Sequence, residues 1–97
     1  MYNPKTVDVF ERHMRKLGCY LLPKVTHTHG EILLAERKIL ERAEVVYETY
    51  WMISRNGIDF GRGVRNYWSV PQETRIAEAL EDAYGWIEAN IKVKRYG

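Results

Sequence analysis

Apolar residues recur at helical spacing over three stretches of this chain. In the first, Val7, Phe10, Met14 and Leu17 fall three or four residues apart, one narrow stripe along a helix. Asn3-Pro4 supplies an N-cap and then the one position where proline favours a helix, and Gly18 is the natural stop. Lys5, Arg12, Arg15 and Lys16 occupy the other sides, so the outer face reads as basic.

The second and longest predicted helix runs from about Gly30 to Arg55 and stops at Asn56-Gly57. At about 100° per residue, Ile32, Ile39, Ala43, Val46, Tyr47, Tyr50 and Ile53 cluster on one side. Leu33, Leu40 and Trp51 widen that cluster to an arc of roughly 160°, while Leu34, Val45 and Met52 form a thinner stripe opposite. A helix apolar on two sides is either central in its domain or keeps a face for another chain.

The third helix opens at Ser69-Val70-Pro71-Gln72, with Ser69 as N-cap and Gln72 placed for a capping box. Ile76, Leu80, Ala83, Ile87 and Ile91 form its apolar face, and Glu78, Glu81, Asp82 and Glu88 an acidic one. Two stretches resist the helical reading. Pro23 makes residues 19–26 a short edge strand or extended connector, and three glycines keep 57–70 from being helical throughout. Alternation from Val64 to Val70 permits a short strand that would pair with residues 19–22. The predicted fold is therefore mainly α: a three-helix domain with a long central helix and a small β or irregular element.

Length and composition narrow the classes. With 97 residues, 45% hydrophobic and 12% aromatic, the chain suits a single globular domain over 1–97 and is too apolar for a disordered tail. No apolar run approaches the ~18 residues of a membrane span, and the start lacks the apolar core of a secretory signal. A single cysteine, Cys19, excludes an intrachain disulfide and fits a reducing, cytoplasmic setting. The net charge of +2 is too small to name a polyanion as partner. It is distributed in blocks of alternating sign, +3 over 1–25, −2 over 26–54, +2 over 55–68, −4 over 69–91 and +3 over 92–97. Such blocks either neutralise one another or leave separate acidic and basic patches.

Catalytic and metal chemistry finds little support. His27-Thr28-His29 could place two rings on one side of an extended segment, with Glu31 or Cys19 nearby, but Cys-x-x-Cys and His-Glu-x-x-His are absent. Cys19 lies in an apolar run and reads as a small buried hydrophobe, and Ser54 and Ser69 sit at helix ends. A glycine-rich phosphate loop is missing too, so neither an enzyme nor a cofactor is expected. Glu36 falls inside the wide apolar arc. A bare carboxylate there would cost several kcal/mol, so the plain reading is a rim position near the helix start. The alternatives are a bond to a Tyr hydroxyl, Arg75 or His13, or a contact kept for a ligand.

The segment from Arg55 to Trp68 interleaves arginine with Phe, Tyr and Trp on a glycine-flexible backbone. That chemistry makes protein-interface hot spots and also grips phosphates and stacks on bases. Ten of the twelve aromatics are Tyr or Trp, which tolerate half-exposure and suit surfaces covered on binding. The expected function is a non-enzymatic interaction module that blocks or bridges another macromolecule by protein–protein contacts. Inhibitors and accessory proteins of phages and other mobile elements are often of this compact, motif-free type, an association by type alone. The contact residues would be Arg55, Arg62, Arg65, Tyr67 and Trp68, with Glu78, Glu81 and Asp82 as a complementary patch. The alternative is nucleic-acid binding through the same loop, helped by Arg12, Arg15, Lys16 and the basic tail. A second copy of the chain is a further candidate partner.

Overall fold

The computed structural model describes residues 4–55 and 58–92, with the side chains of residues 4–6, 55, 58 and 92 outside that description. The elements run α1 (Pro4–Lys16), β1 (Tyr20–His27), β2 (Gly30–Glu41), β3 (Glu44–Arg55), β4 (Ile58–Tyr67) and α2 (Gln72–Ile87), the last continuing into a π-helical turn, Glu88–Lys92. The strands form one antiparallel sheet in the order β1-β2-β3-β4, a simple meander. One helix lies on each face.

The mainly α expectation is overturned: the long central helix does not exist, and residues 30–55 form the hairpin β2–β3. Two physical causes explain the misreading. Ile32 to Glu36 are all buried because helices cover both faces of the sheet, so the run shows no period of two. The hairpin turn is Arg42-Ala43, with φ of 52° and 64°, and so lacks the Asn-Gly or Asp-Gly that usually announces such a turn. Two side-chain-bearing residues in the left-handed region carry strain. Replacing Arg42-Ala43 by Asn-Gly is expected to raise stability by about 1 kcal/mol, read as a higher urea midpoint at unchanged slope.

Other expectations fare unevenly. The first helix is present and ends at Gly18, which adopts φ 85° while Cys19 N–H bonds Met14 C=O at 2.9 Å and Gly18 N–H bonds Arg15 C=O at 3.0 Å. That is the left-handed helix stop glycine favours, and Met14 and Cys19 pack together beneath it. Residues 20–27 are an edge strand, and its register slips between Leu22 and Val25 around Pro23. The strand predicted over Val64 to Val70 lies instead at Ile58–Tyr67, with 68–70 in a turn, and it pairs with β3, not with residues 19–22. The third helix is present, but Pro71 stands at its N-cap with no side-chain cap bond, so Ser69 does not play that part. The Asn3 cap, the Asn56-Gly57 stop and the basic tail beyond Lys92 lie outside the described residues.

Two apolar layers hold the helices. Phe10 and Met14 of α1 pack with Cys19, Leu33 and Ala35 on one face. On the other, Ala79, Ala83 and Ile87 of α2 meet Ile32, Leu34, Trp51 and Ile53. Alanines one turn apart let α2 sit close to the sheet, and Trp86 stacks on Phe60 at 4.7 Å with rings 6° apart.

Candidate functional site

Strand register arranges the far end of the sheet in rows. On the α2 face, Leu40 lies opposite Val45, and Trp68 follows across from Val45, to whose carbonyl it donates its backbone N–H at 3.2 Å. The next row is Lys38, Tyr47 and Asn66, and the next Glu36, Thr49 and Val64. On the α1 face the end rows are Ile39, Val46 and Tyr67, then Arg37, Glu48 and Arg65.

Helix α2 begins over the Glu36 row, held there by a buried ion pair. Arg75 Nε donates to Glu36 Oε2 at 2.7 Å and Arg75 Nη2 to Oε1 at 2.8 Å, the bidentate fork that suits a carboxylate. Thr49 Oγ1 donates to Oε2 at 2.7 Å, Gln72 Nε2 to Oε1 at 3.2 Å, and the Tyr20 hydroxyl also donates to Oε1. Glu36 is wholly buried, so the rim position is overturned and the bonds to Arg75 and a Tyr hydroxyl are found. Burial pushes its carboxyl up, but the bonds from Arg75, Tyr20, Thr49 and Gln72 outweigh it and hold the group down at about 2. Burial and the Glu36 bond push the Tyr20 hydroxyl up to about 12. Both groups therefore keep their charge states across the physiological range.

Arg75 also shapes the connection that follows β4. Its Nη1 donates to Val70 C=O at 2.6 Å, and its guanidinium lies 3.6 Å from the centre of the Tyr47 ring. Val70 N–H closes a turn onto Tyr67 C=O at 3.1 Å. One buried arginine thus fixes the chain that carries Trp68, beyond the first turn of α2. The outcome is an uncovered end: Leu40 is 73% exposed, Trp68 67% and Tyr67 64%. Trp68 and Tyr67 project from opposite faces, and the Nδ2 of Asn66, the residue before them, is buried with no acceptor among the described residues.

The remaining expected contact residues are dispersed. Arg62 is turned back over the sheet, its Nε and Nη2 on Asp82 Oδ2 and Oδ1 at 2.7 and 2.8 Å. Asp82 also accepts Trp51 Nε1 at 2.8 Å, so both charged groups serve to fasten α2 to β3 and β4. Arg65 pairs with Glu41 and lies 3.7 Å from Glu48, which Arg37 and the Tyr50 hydroxyl already hold. Glu78 and Glu81 are exposed on α2 with no ion-pair partner among the described residues. The Arg55 side chain lies outside the described residues. Of the expected surface, Tyr67 and Trp68 stand free, while Arg62 and Asp82 are joined to each other and do not form two complementary patches.

Leu40, Val45 and Tyr47 belong to the exposed end, whereas a helical wheel puts Leu40 and Tyr47 in the wide apolar arc and Val45 on the thin opposite stripe. Their alternation with Glu41, Glu44 and Glu48 was the available signal. Cys19 is buried, and burial pushes its thiol up, away from nucleophilic character. His27 stacks on Tyr84 at 5.1 Å and its Nδ1 accepts the His29 N–H at 3.1 Å. Among the described residues no three His, Cys, Asp or Glu side chains converge as a metal site, and no helix is long and apolar enough to cross a membrane. No protein family, curated protein or solved structure matches this chain.

Proposed function

We propose that this chain binds another protein through the uncovered end of its sheet, and acts by blocking or bridging that partner. The observation that supports this reading is the pair of adjacent rings, Tyr67 and Trp68, exposed on opposite faces beside Leu40. Large amphipathic rings on a rigid strand end lose little conformational freedom on docking, which is why Trp and Tyr dominate interface hot spots. The rigidity has a source: Arg75 anchors the connection after β4 from within the core. A nucleic-acid reading through the same segment is weakened by the carboxylates on Arg62 and Arg65, which compete with phosphate for both guanidiniums.

The test is a pulldown from the native host extract with and without nuclease, followed by titration of the captured species from about 50 to 200 mM salt. One protein should be retained despite nuclease, with affinity changing little with salt, and should be lost by Trp68→Ala. Loss of everything after nuclease, or an affinity falling log-linearly with salt, sinks the reading in favour of nucleic acid.

A further inference from the structure

The two outer strands of the sheet are built differently. β1 carries Pro23 and a register slip, features that discourage a further strand from pairing. β4 pairs with β3 without a slip over its ten residues and contains no proline. Among the described residues no strand covers its outer side. Arg62, the charge at its middle, is folded away onto Asp82 and does not guard the edge.

Register decides which backbone groups face outward. Trp68 donates to Val45, so Trp68, Asn66, Val64, Arg62 and Phe60 direct their N–H and C=O groups toward β3. Asp59, Gly61, Gly63, Arg65 and Tyr67 then direct theirs away from the sheet. At the centre of that row stand two exposed glycines with no side chain to screen the backbone. Their absent side chains have a local cause as well: a Cβ on Gly61 would lie 2.8 Å from Trp51 O, and one on Gly63 2.8 Å from the Tyr50 ring.

We infer that β4 pairs antiparallel with β4 of a second copy, about a two-fold axis at Arg62, joining two sheets into one of eight strands. This register sets Gly61 against Gly63 of the second copy, and Asp59 against its Arg65, twice by symmetry. Within one chain Asp59 and Arg65 are six strand residues, about 20 Å, apart and cannot meet; there Asp59 accepts the Ser54 hydroxyl and Arg65 holds Glu41, exposed contacts with which the facing chain's charge competes. The arginines on the axis are each neutralised by their own Asp82. Tyr67 and Trp68 fall just outside the paired segment, at opposite ends of the dimer. The inference therefore stands apart from the proposed function and gives that surface two copies.

The experiment uses the full chain in sedimentation equilibrium and amide hydrogen exchange across the micromolar range. The expected mass is twice 11.5 kDa. The Gly61 and Gly63 amides, open to water in one chain, are expected to exchange more slowly as concentration rises. Asp59→Arg and Arg65→Glu each place like charges across the seam and should weaken self-association about tenfold or more. Mixed together, the two variants should form a heterodimer, because both seams then join opposite charges. A wild-type mass of 11.5 kDa throughout, or glycine exchange independent of concentration, overturns the inference. So does undiminished self-association of both variants, or failure of the folded variants to associate on mixing. Should either variant fail to fold, the exchange of the wild-type glycines decides alone. Loss of partner capture by Trp68→Ala with the dimer intact would separate this outcome from that of the proposed function.

Discussion

Replacing Arg75 by methionine is expected to destabilise the chain by about 3–5 kcal/mol, the usual penalty for leaving one member of a buried ion pair alone. Glu36 would keep its bonds from Thr49, Gln72 and Tyr20 but lose the only cation that touches it among the described residues. The same substitution frees Val70 C=O and the Tyr47 ring, so the start of α2 and the connection bearing Trp68 loosen together. Methionine fills much of the space, and the lost charge therefore dominates over a cavity. Adding Glu36→Gln to Arg75→Met should recover part of the loss, since a neutral amide is far cheaper to bury than an unpaired carboxylate. Urea denaturation of the four forms measures the coupling. A loss below 1 kcal/mol in the single variant would contradict this account of the core.

The pair also sets the acid response. Glu36 titrates at about 2 in the folded chain, against an ordinary value of 4.5. Its contribution is fully present above pH 4.5 and is lost as pH falls toward 2, because the unfolded chain then takes up the proton first. A depression of that size corresponds to about 3 kcal/mol. Wild-type stability is expected to fall through this window, and Glu36→Gln to flatten the fall.

The second large effect concerns binding. Trp68→Ala is expected to weaken partner capture by about 2–4 kcal/mol, thirtyfold or more, and Tyr67→Ala by a comparable amount. Neither ring belongs to either core cluster, so thermal stability should stay within about 0.5 kcal/mol of wild type. This contrast separates the rings from Arg75, whose replacement lowers stability and binding together. Unchanged affinity in the double alanine variant would remove the sheet end as the contact surface.

Legibility differed from element to element, and for traceable reasons. The amino-terminal helix could be read because its cap, stripe and stop are local: Pro4, the spacing of Val7 to Leu17, and Gly18 all act within one or two turns. Helix α2 was legible from Ile76 to Ile87 for the same reason, although its expected Ser69 cap was not realised. The hairpin was not legible. Ile39, Val46, Tyr47, Tyr50 and Ile53 satisfy a 3.6-residue period by accident, and only the pairing of β2 with β3 shows that Val46 and Tyr47 face opposite ways.

The candidate site divides along the same line. That Tyr67 and Trp68 carry polar handles suited to exposure follows from their chemistry, and the chain shows both exposed. Whether a guanidinium beside them stays available depends on what lies across the fold. Arg62 meets Asp82 twenty residues on, and Arg75 meets Glu36 thirty-nine residues back. By itself the chain determined two helices near its ends, an edge strand or extended connector at Pro23 and a ring-rich segment before the last helix, since these depend on neighbours a few residues away. Only the tertiary structure decided that the middle is a hairpin, that Glu36 is buried with Arg75, and which charges remain at the surface. Those outcomes arise when two helices cover both faces of one sheet, and local periodicity carries no record of contacts so distant along the chain.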